Sequence, residues 1–319
     1  MTDLLRFKLI GSSERFQAAL THLRKVAGVD ATVLIQGETG TGKELAARAI
    51  HYTSKRSERP FLPVNCGALA EALLESELFG HERGAFTDAK SASAGLVAEA
   101  DGGTLFLDEV DALSPKAQAA MLRFLQDRSY RRVGSAQTRH AHVRIIVASN
   151  ACLEDLVNAR QFRRDLLYRL NVLTLHMPAL RERAGDVLEL AHSFVTRFCH
   201  EYRQPARTLA PEFLADLANQ EWPGNVRELE NTIHRAFLLG DGLELRHPGL
   251  AAEPAAIQAT AIPFKEAKAH AIADFERRYI GEVLRKSDGN ITRAAQMAGQ
   301  DRSAFGKMVR KHGLGAAAE

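Results

Sequence analysis

The run from Gly37 to Lys43, GETGTGK, constrains this chain more than any other segment. It follows an apolar stretch with strand character, residues 32–36, and opens a helix-period stretch, residues 43–52. Glycines at its first, fourth and sixth places let backbone N–H groups converge on phosphate oxygens. The helix N-terminus adds a favourable dipole, and Lys43 reaches the outer phosphates. One departure from the general pattern stands next to the lysine. Glu44 occupies the place of the Ser or Thr whose hydroxyl would touch magnesium.

A phosphate loop of this kind needs a sheet to spring from. Four more apolar runs read as strands, at 61–65, 104–108, 143–149 and 172–176, with helical patterns at 68–78 and 115–126 between them. Alternation of this sort predicts a parallel sheet covered by helices. The run ending in Asp108-Glu109 supplies the second half of a nucleotide site. An apolar strand closing on paired acids puts Asp108 where it can hold magnesium and Glu109 where it can polarise an attacking water.

Beyond Met177-Pro178 the strand signals stop, and residues 186–202, 211–220 and 225–239 read as amphipathic helices of a helical subdomain. Residues 247–263 are rich in Ala and Pro and read as a linker. Three more helical segments follow, at 265–286, 291–298 and 302–312. The expected division is therefore an α/β nucleotide-binding unit over 1–176, a helical lid over 177–246, the linker, and an all-α unit over 264–319. No run approaches the roughly 18 apolar residues of a membrane span, so no membrane insertion is expected. The N-terminus lacks the apolar core of a signal peptide. Cys66, Cys152 and Cys199 cannot all pair and lack metal-ligand spacing, which points to reduced thiols in a cytoplasmic protein. The net charge of +3 is unevenly spread: from Phe264 onward eleven Lys/Arg face seven Asp/Glu. The basic excess sits in the tail.

With its neighbouring runs, the nucleotide site resembles the central AAA+ domain of bacterial sigma-54-dependent activators, over residues 9–245. The matching runs are GETGTGKE from Gly37, PVNC from Pro63, SELFG from Ser76, GGTLFLDE from Gly102, FRRDLLYR from Phe162 and WPGNVREL from Trp222. The resemblance implies ATP as substrate and magnesium as its companion. The expected ATP contacts are Ile10, Gly11, Gly37, Glu38, Thr39, Gly40, Thr41, Gly42, Lys43, Glu44, Asp108 and Glu109. Glu44 becomes a family trait and a second candidate magnesium contact beside Asp108.

In the same way Asn150 resembles the first sensor, near the terminal phosphate, and Arg227 the second sensor on the lid helix. Arg163 and Arg169 resemble arginine fingers that enter a neighbouring subunit's site, with Arg164 adjacent to the first. Such a finger is worth about 10³–10⁵ in rate, which would make hydrolysis depend on assembly into a ring. Asn65 resembles a residue that holds the catalytic glutamate until the client is engaged.

The run Gly84, Ala85, Phe86, Thr87, Asp88, Ala89 resembles the family's GAFTGA loop, which projects from the ring and touches sigma-54. An exposed Phe86 with Thr87 would make that contact. Asp88 stands where the family has a second glycine. Asp tolerates positive φ better than most residues, but it brings a negative charge to the contact.

In the tail, Asn290 is a good N-cap for the segment from Ile291, Gly299 closes it, and a short turn leads to residues 302–312. This pair is similar to the Fis-type helix-turn-helix of sigma-54 activators. Arg302, Ser303, Lys307, Arg310 and Lys311 are its candidate contacts to phosphates and base edges. Gly306 inside the second helix costs about 1 kcal/mol against alanine. The helix over 265–286 is expected to pair two tails into a dimer.

The expectation is thus an AAA+ ATPase, dimer to hexameric ring, that binds upstream enhancer DNA and remodels the sigma-54 RNA polymerase holoenzyme at a closed promoter. Because the motifs begin within the first dozen residues, no receiver domain is expected ahead of them. The layout is then like that of phage-shock-type activators, restrained by a separate inhibitory protein. The alternative is a chain trimmed from a longer regulator. Two other functions stay open at this point: a DNA-binding regulator whose ATPase is vestigial or uncoupled, and a remodeller of a different client.

Overall fold

The structure is a computed structural model that describes residues 7–68, 71–86, 89–183, 185–240, 242–247, 272–273, 276, 279–281, 283–284, 287 and 290–312. The chain divides into two compact units, Met1–Gly249 and Leu250–Glu319.

The first unit is built on five parallel strands: β1 (Val33–Gln36), β2 (Phe61–Asn65), β3 (Thr104–Asp108), β6 (Arg144–Ser149) and β7 (Leu173–His176). They lie in the order β2-β3-β6-β1-β7. Strands β1, β3 and β6 are central and apolar along nearly their whole length, as strands covered on both faces must be. Both edges are blunted. Pro63 sits in β2, which pairs only with β3, and the His22 ring bonds the Thr174 carbonyl of β7 at 3.0 Å.

Among the described residues seven helices surround the sheet: α1 (Glu14–Ala27), α2 (Lys43–Tyr52), α3 (Glu71–Phe79), α4 (Leu96–Glu99), α5 (Pro115–Asp127), α6 (Leu153–Asn158) and α7 (Arg164–Leu170). The buried stripe of α1, Phe16, Ala19, Leu20, Leu23, Val26 and Ala27, follows the helical period and packs on one face of the sheet with Ile50, Phe106 and Leu175. Each large side chain so buried contributes about 1.5–3 kcal/mol. At the C-terminal end of α1, the buried Arg144 donates to the Val26 carbonyl at 3.0 Å, a cation where the helix dipole favours one. Ser114 caps α5 by accepting from the Ala117 N–H, with Pro115 at the first helical position. A two-residue ladder, β4 (Ser129–Tyr130) with β5 (Arg139–His140), joins this layer through buried Tyr130, whose ring meets Phe79 and Phe124.

The lid consists of α8 (Asp186–Glu201), α9 (Pro211–Asn219) and α10 (Asn225–Leu239), with a small parallel pair of β8 (Thr208–Leu209) and β9 (Glu244–Leu245). Its core is Leu190, Phe194, Phe198, Phe213, Leu217, Trp222, Leu229 and Ile233. The Trp222 indole N–H donates to the Leu217 carbonyl at 3.0 Å, so the ring is buried without an orphaned donor. The segment that joins sheet to lid is pinned by a buried ion pair. Asp186, at the start of α8, accepts from Arg183 Nε, the Ser12 and Ser13 N–H groups and the Ser13 hydroxyl, each at 2.8 Å. Arg183 also donates to the Ile10 carbonyl at 2.6 Å and lies 3.7 Å over the Phe16 ring.

In the second unit, the described residues at 272, 273, 276, 279–281, 283 and 284 are helical. Ile280 and Val283 share a small core with Ala294 and Ala295 of α11 (Ile291–Met297) and Phe305 and Val309 of α12 (Arg302–Lys311). Asn290 Oδ1 accepts from the Thr292 and Arg293 N–H groups, the cap expected from sequence. Residues 265–271, part of the helix expected at 265–286, and residues 248–263 of the expected linker lie outside the described residues. Among the described residues no helix is long and apolar enough to cross a membrane.

Candidate functional site

Every strand that carries a candidate residue delivers it at its C-terminal end, where an open parallel sheet binds ligands. The phosphate loop leaves β1 through Gly37 (φ 157°) and closes through Gly40 (φ 80°) and Gly42 (φ 95°). At the last two only glycine is free of strain. Buried Thr41 braces the loop by donating to the Glu38 carbonyl at 2.8 Å.

Lys43, buried at the first turn of α2, donates through Nζ to the Gly37 and Glu38 carbonyls at 2.7 and 3.0 Å. Burial lowers its pKa, against the pull of Asp108, Asp111 and Glu109. Opposite it, burial pushes the Asp108 carboxyl up, against the Glu109 N–H and the charge of Lys43. Glu109 stands in the left-handed region (φ 54°, ψ 48°), a conformation a non-glycine residue holds only when its surroundings impose it. Its N–H donates to Asp108 Oδ1 at 3.0 Å.

One cleft of about 210 Å³ is walled by Lys43, Asp108, Glu109, Asn150 and Arg227, with Thr39, Gly40, Gly42 and Glu44. Asn150 reaches across to the Thr39 hydroxyl at 3.4 Å. Arg227 lies over the loop, and a side chain built at Gly40 would come within 3.1 Å of its Cβ. Glu44 turns its carboxylate to Arg48, one helical turn on, at 2.8 Å. Among the described residues no group of three metal-ligating side chains exists. Asp108, whose other oxygen meets no donor among the described residues, suits a magnesium ion that takes most of its ligands from phosphate and water.

Some expected residues make contacts other than those the resemblance implied. Asn65 is close to the glutamate without bonding it: its Oδ1 accepts from the Gly67 and Ala68 N–H groups at 2.8 and 3.0 Å, because the chain turns sharply after β2. A Cβ built on Gly67 would fall 2.2 Å from Glu109 and 3.4 Å from Asn65, so the two side chains flank this glycine. Ile10 and Gly11 do not wall the cleft. They are held at the joint with the lid, where a Cβ on Gly11 would fall 2.3 Å from Asp186. The Glu38 carboxylate is gripped by Arg181 Nη1 and Nη2.

Arg163 and Arg169 lie on the surface at α7, outside the cleft. Arg163 is paired with Asp165 at 2.8 Å, while Arg169 makes no hydrogen bond or ion pair among the described residues.

The loop from Gly84 is anchored at both shoulders. Gly84 N–H donates to the Ala89 carbonyl at 2.9 Å, and Ala85 rests on Gly134 of the β4–β5 turn. Phe86 is half-buried, because its ring packs edge-on against His81 at 5.0 Å. The aromatic expected to be exposed is thus partly covered in this chain. Thr87 and Asp88 lie outside the described residues.

In the second unit Arg302, Ser303, Lys307 and Arg310 of α12 are all exposed, and the last three lie on the face opposite buried Phe305 and Val309. Lys311 departs from that set, since its ammonium is held by Glu276 at 2.9 Å. The His312 ring meets the same carboxylate at 2.7 Å.

Sequence reasoning quoted Asn225 inside a motif but gave its side chain no part, and it passed over Arg181, Arg183 and Asp186. Each of these acts through a partner more than 140 residues away, which no local pattern discloses.

Residues 9–176 match the Sigma-54 interaction domain family, residues 181–264 the AAA+ ATPase lid domain, and residues 271–311 the Bacterial regulatory protein, Fis family. The chain is similar to the alginate biosynthesis transcriptional regulatory protein AlgB of Pseudomonas syringae pv. tomato, 46% identical over 95% of this chain and 66% of AlgB. It is also similar to the transcriptional regulatory protein ZraR of Salmonella typhimurium, 47% identical over 92% of this chain and 66% of ZraR. It therefore spans just under two thirds of the length of these curated relatives. Among solved structures it resembles NtrX from Brucella abortus, with a TM-score of 0.71 and 33% identity over 97% of this chain and 70% of that one. An ATP complex of the same NtrX matches with a TM-score of 0.70 and 34% identity, over 95% of this chain and 69% of that one.

Proposed function

The chain belongs to the sigma-54 interaction domain family, with an AAA+ lid and a Fis-type segment following it, and on that premise we propose that it is an ATP-driven activator of sigma-54-dependent transcription. The observation that carries this reading is the convergence of Lys43, Asp108, Glu109, Asn150 and Arg227 on one cleft beneath the lid. Loop N–H groups and Lys43 would bind the ATP phosphates. Magnesium, held by Asp108 and phosphate oxygens, would neutralise charge developing on the phosphates. Glu109 would orient and deprotonate the attacking water, with Asn150 fixing the far side of the cleft.

Arg169, without a hydrogen bond or ion pair among the described residues, and Arg163, whose side chain is held by an exposed ion pair, suit insertion into a neighbouring copy's cleft. That implies a ring of copies for full turnover. Phe86, on a loop braced at both shoulders, would carry the nucleotide-driven movement to sigma-54 in the closed promoter complex. The exposed cationic face of α12 would hold the protein on upstream DNA through phosphate contacts, which position, and base-edge contacts, which specify. The setting is the cytoplasm, where polymerase and promoter meet.

The test is in vitro transcription from a sigma-54 promoter with purified protein, ATP and polymerase holoenzyme, at concentrations that bypass enhancer binding. Wild type yields transcript and Glu109→Ala yields none. If wild type hydrolyses ATP without yielding transcript, sigma-54 is not its client.

A further inference from the structure

Asn225, the first residue of α10, is fully buried where three chain segments meet. Its Oδ1 accepts from the Leu180 N–H at 2.7 Å, in the strap that joins sheet to lid. Its amide nitrogen donates to the Thr39 carbonyl at 3.0 Å and to Glu38 Oε2 at 3.1 Å, both in the phosphate loop. Its backbone is left-handed (φ 53°), which Asn tolerates better than most residues. One side chain thus needs a donor, an acceptor and a positive φ together, and few residue types supply all three.

Three further contacts reinforce the junction. The Val226 N–H donates to the Gly40 carbonyl at 3.1 Å. Gly40 and Gly224 approach so closely that a Cβ on Gly40 would fall 2.3 Å from the Gly224 carbonyl. Glu38 is gripped by Arg181, which sits in the same strap as Leu180. Hydrogen bonds from Arg181 and then Asn225 hold the Glu38 carboxyl down at about 2, so it stays ionised throughout the working pH range.

Arg227 follows Asn225 by two residues on the same helical turn and walls the ATP cleft. We propose that Asn225, backed by Glu38 and Arg181, is a positioning residue for ATP turnover, transmitting the shape of the phosphate loop to the lid helix and so setting where Arg227 stands. This rests on the ATPase reading above. The contacts run from loop carbonyls and the Glu38 carboxylate, whereas the loop's N–H groups are the ones that would meet the phosphates. A change in the loop made on one side is therefore delivered to the lid on the other. A misplacement of about 1 Å in a catalytic group can cost on the order of a hundredfold in rate, so a loosened junction is felt in turnover first.

The experiment is steady-state ATP hydrolysis by the full chain, comparing wild type, Asn225→Asp, Arg227→Ala and the double variant. Asn225→Asp keeps the acceptor for Leu180 and the tolerance of positive φ. It removes the donor and sets a carboxylate against Glu38. The expected result is a kcat lower by about tenfold or more with KM for ATP changed less than about threefold. The double variant should be no more than about threefold slower than the slower single variant. A lid that is merely destabilised would instead weaken ATP binding, and its effect would multiply with that of Arg227→Ala. Unchanged kcat, or multiplying effects, overturns the proposal. Should Asn225→Asp fail to fold, as judged by Trp222 fluorescence, Glu38→Gln takes its place, since that side chain is partly exposed. It should lower kcat about threefold or more, again without multiplying with Arg227→Ala, and an unchanged kcat there overturns the proposal equally. Wild type with no Glu109-dependent hydrolysis is a different result: it overturns the ATPase reading and this inference with it.

Discussion

Asp186→Ala offers a measurable test of what holds the lid to the sheet. The carboxylate is fully buried (0% exposed) and Arg183 nearly so (2%). Removing it leaves the guanidinium with the Ile10 carbonyl and the Phe16 ring, and leaves the Ser12 and Ser13 N–H groups without their acceptor. Breaking a buried pair from one side costs about 3–5 kcal/mol. In a unit of this size each kcal/mol moves the melting temperature by about 2–4 °C, so a fall on the order of 10 °C is expected. Trp222, the only tryptophan, lies in the lid core at 1% exposure, so its fluorescence reports this transition selectively. Replacing both partners, Arg183→Met with Asp186→Leu, should lose less than Asp186→Ala alone. It removes the stranded charge, leaving the same serine N–H groups and the neutral Ile10 carbonyl without partners, and an unpaired neutral group costs about 1–3 kcal/mol, less than an unpaired charge. Burial opposes ionisation of Asp186, but hydrogen bonds from Arg183 and Ser13 outweigh it and its pKa is lowered from 3.8. A depressed carboxyl stabilises fully above its unfolded pKa and loses that contribution as pH falls through the folded value. The wild-type advantage over Asp186→Ala should therefore be flat from pH 7 to 5 and shrink below about pH 4. A loss under about 1 kcal/mol, or a double variant less stable than the single, would refute the reasoning.

Glu109→Gln should retain ATP, since Lys43 and the loop are untouched, while hydrolysis falls by about 10²-fold or more; equal turnover would remove Glu109 from the role of base. Thiol titration of the native protein at pH 8 should find Cys152, which is exposed, and spare Cys66 until denaturant is added, because burial pushes that thiol up to about 12; rapid native labelling of Cys66 would contradict the packing. Gly306→Ala should stabilise the C-terminal unit by about 1 kcal/mol, since a Cβ there meets nothing within 4 Å; destabilisation in a thermal melt would mean that the face is covered.

Long elements were legible in the sequence because they repeat. Helices α2 and α10 and strands β2 and β3 occupy the residues their periodicity suggests. Elements of six or seven residues such as α6 and α7, and the two-residue strands β4, β5, β8 and β9, complete too few repeats to show a period. Helix α1 is a different case: its stripe of Phe16, Leu20, Leu23 and Val26 was readable and was passed over. Lys43, Asp108 and Glu109 were legible as a site because the loop and the strand end that aim them are local. The Asn225 and Asp186 junctions were not, because each depends on a long-range pairing that exists only once the chain is folded. The surroundings of Phe86 are local by comparison, since His81 and the Ser76 that fixes its ring both lie within ten residues of it in the sequence, but a turn between them follows no repeating period.

The blunted edges of the central sheet carry a consequence for how copies of this chain can meet. A strand edge invites another backbone to zip onto it, and such pairing is indifferent to side chains and hard to reverse. Here Pro63 withholds a donor along β2, and His22 occupies a carbonyl of β7. Any encounter between copies is thereby steered away from strand pairing and toward side-chain contacts. Contacts of that kind separate readily and are rebuilt by changing a rotamer, as a crowd of identical molecules requires if it is to assemble without fusing.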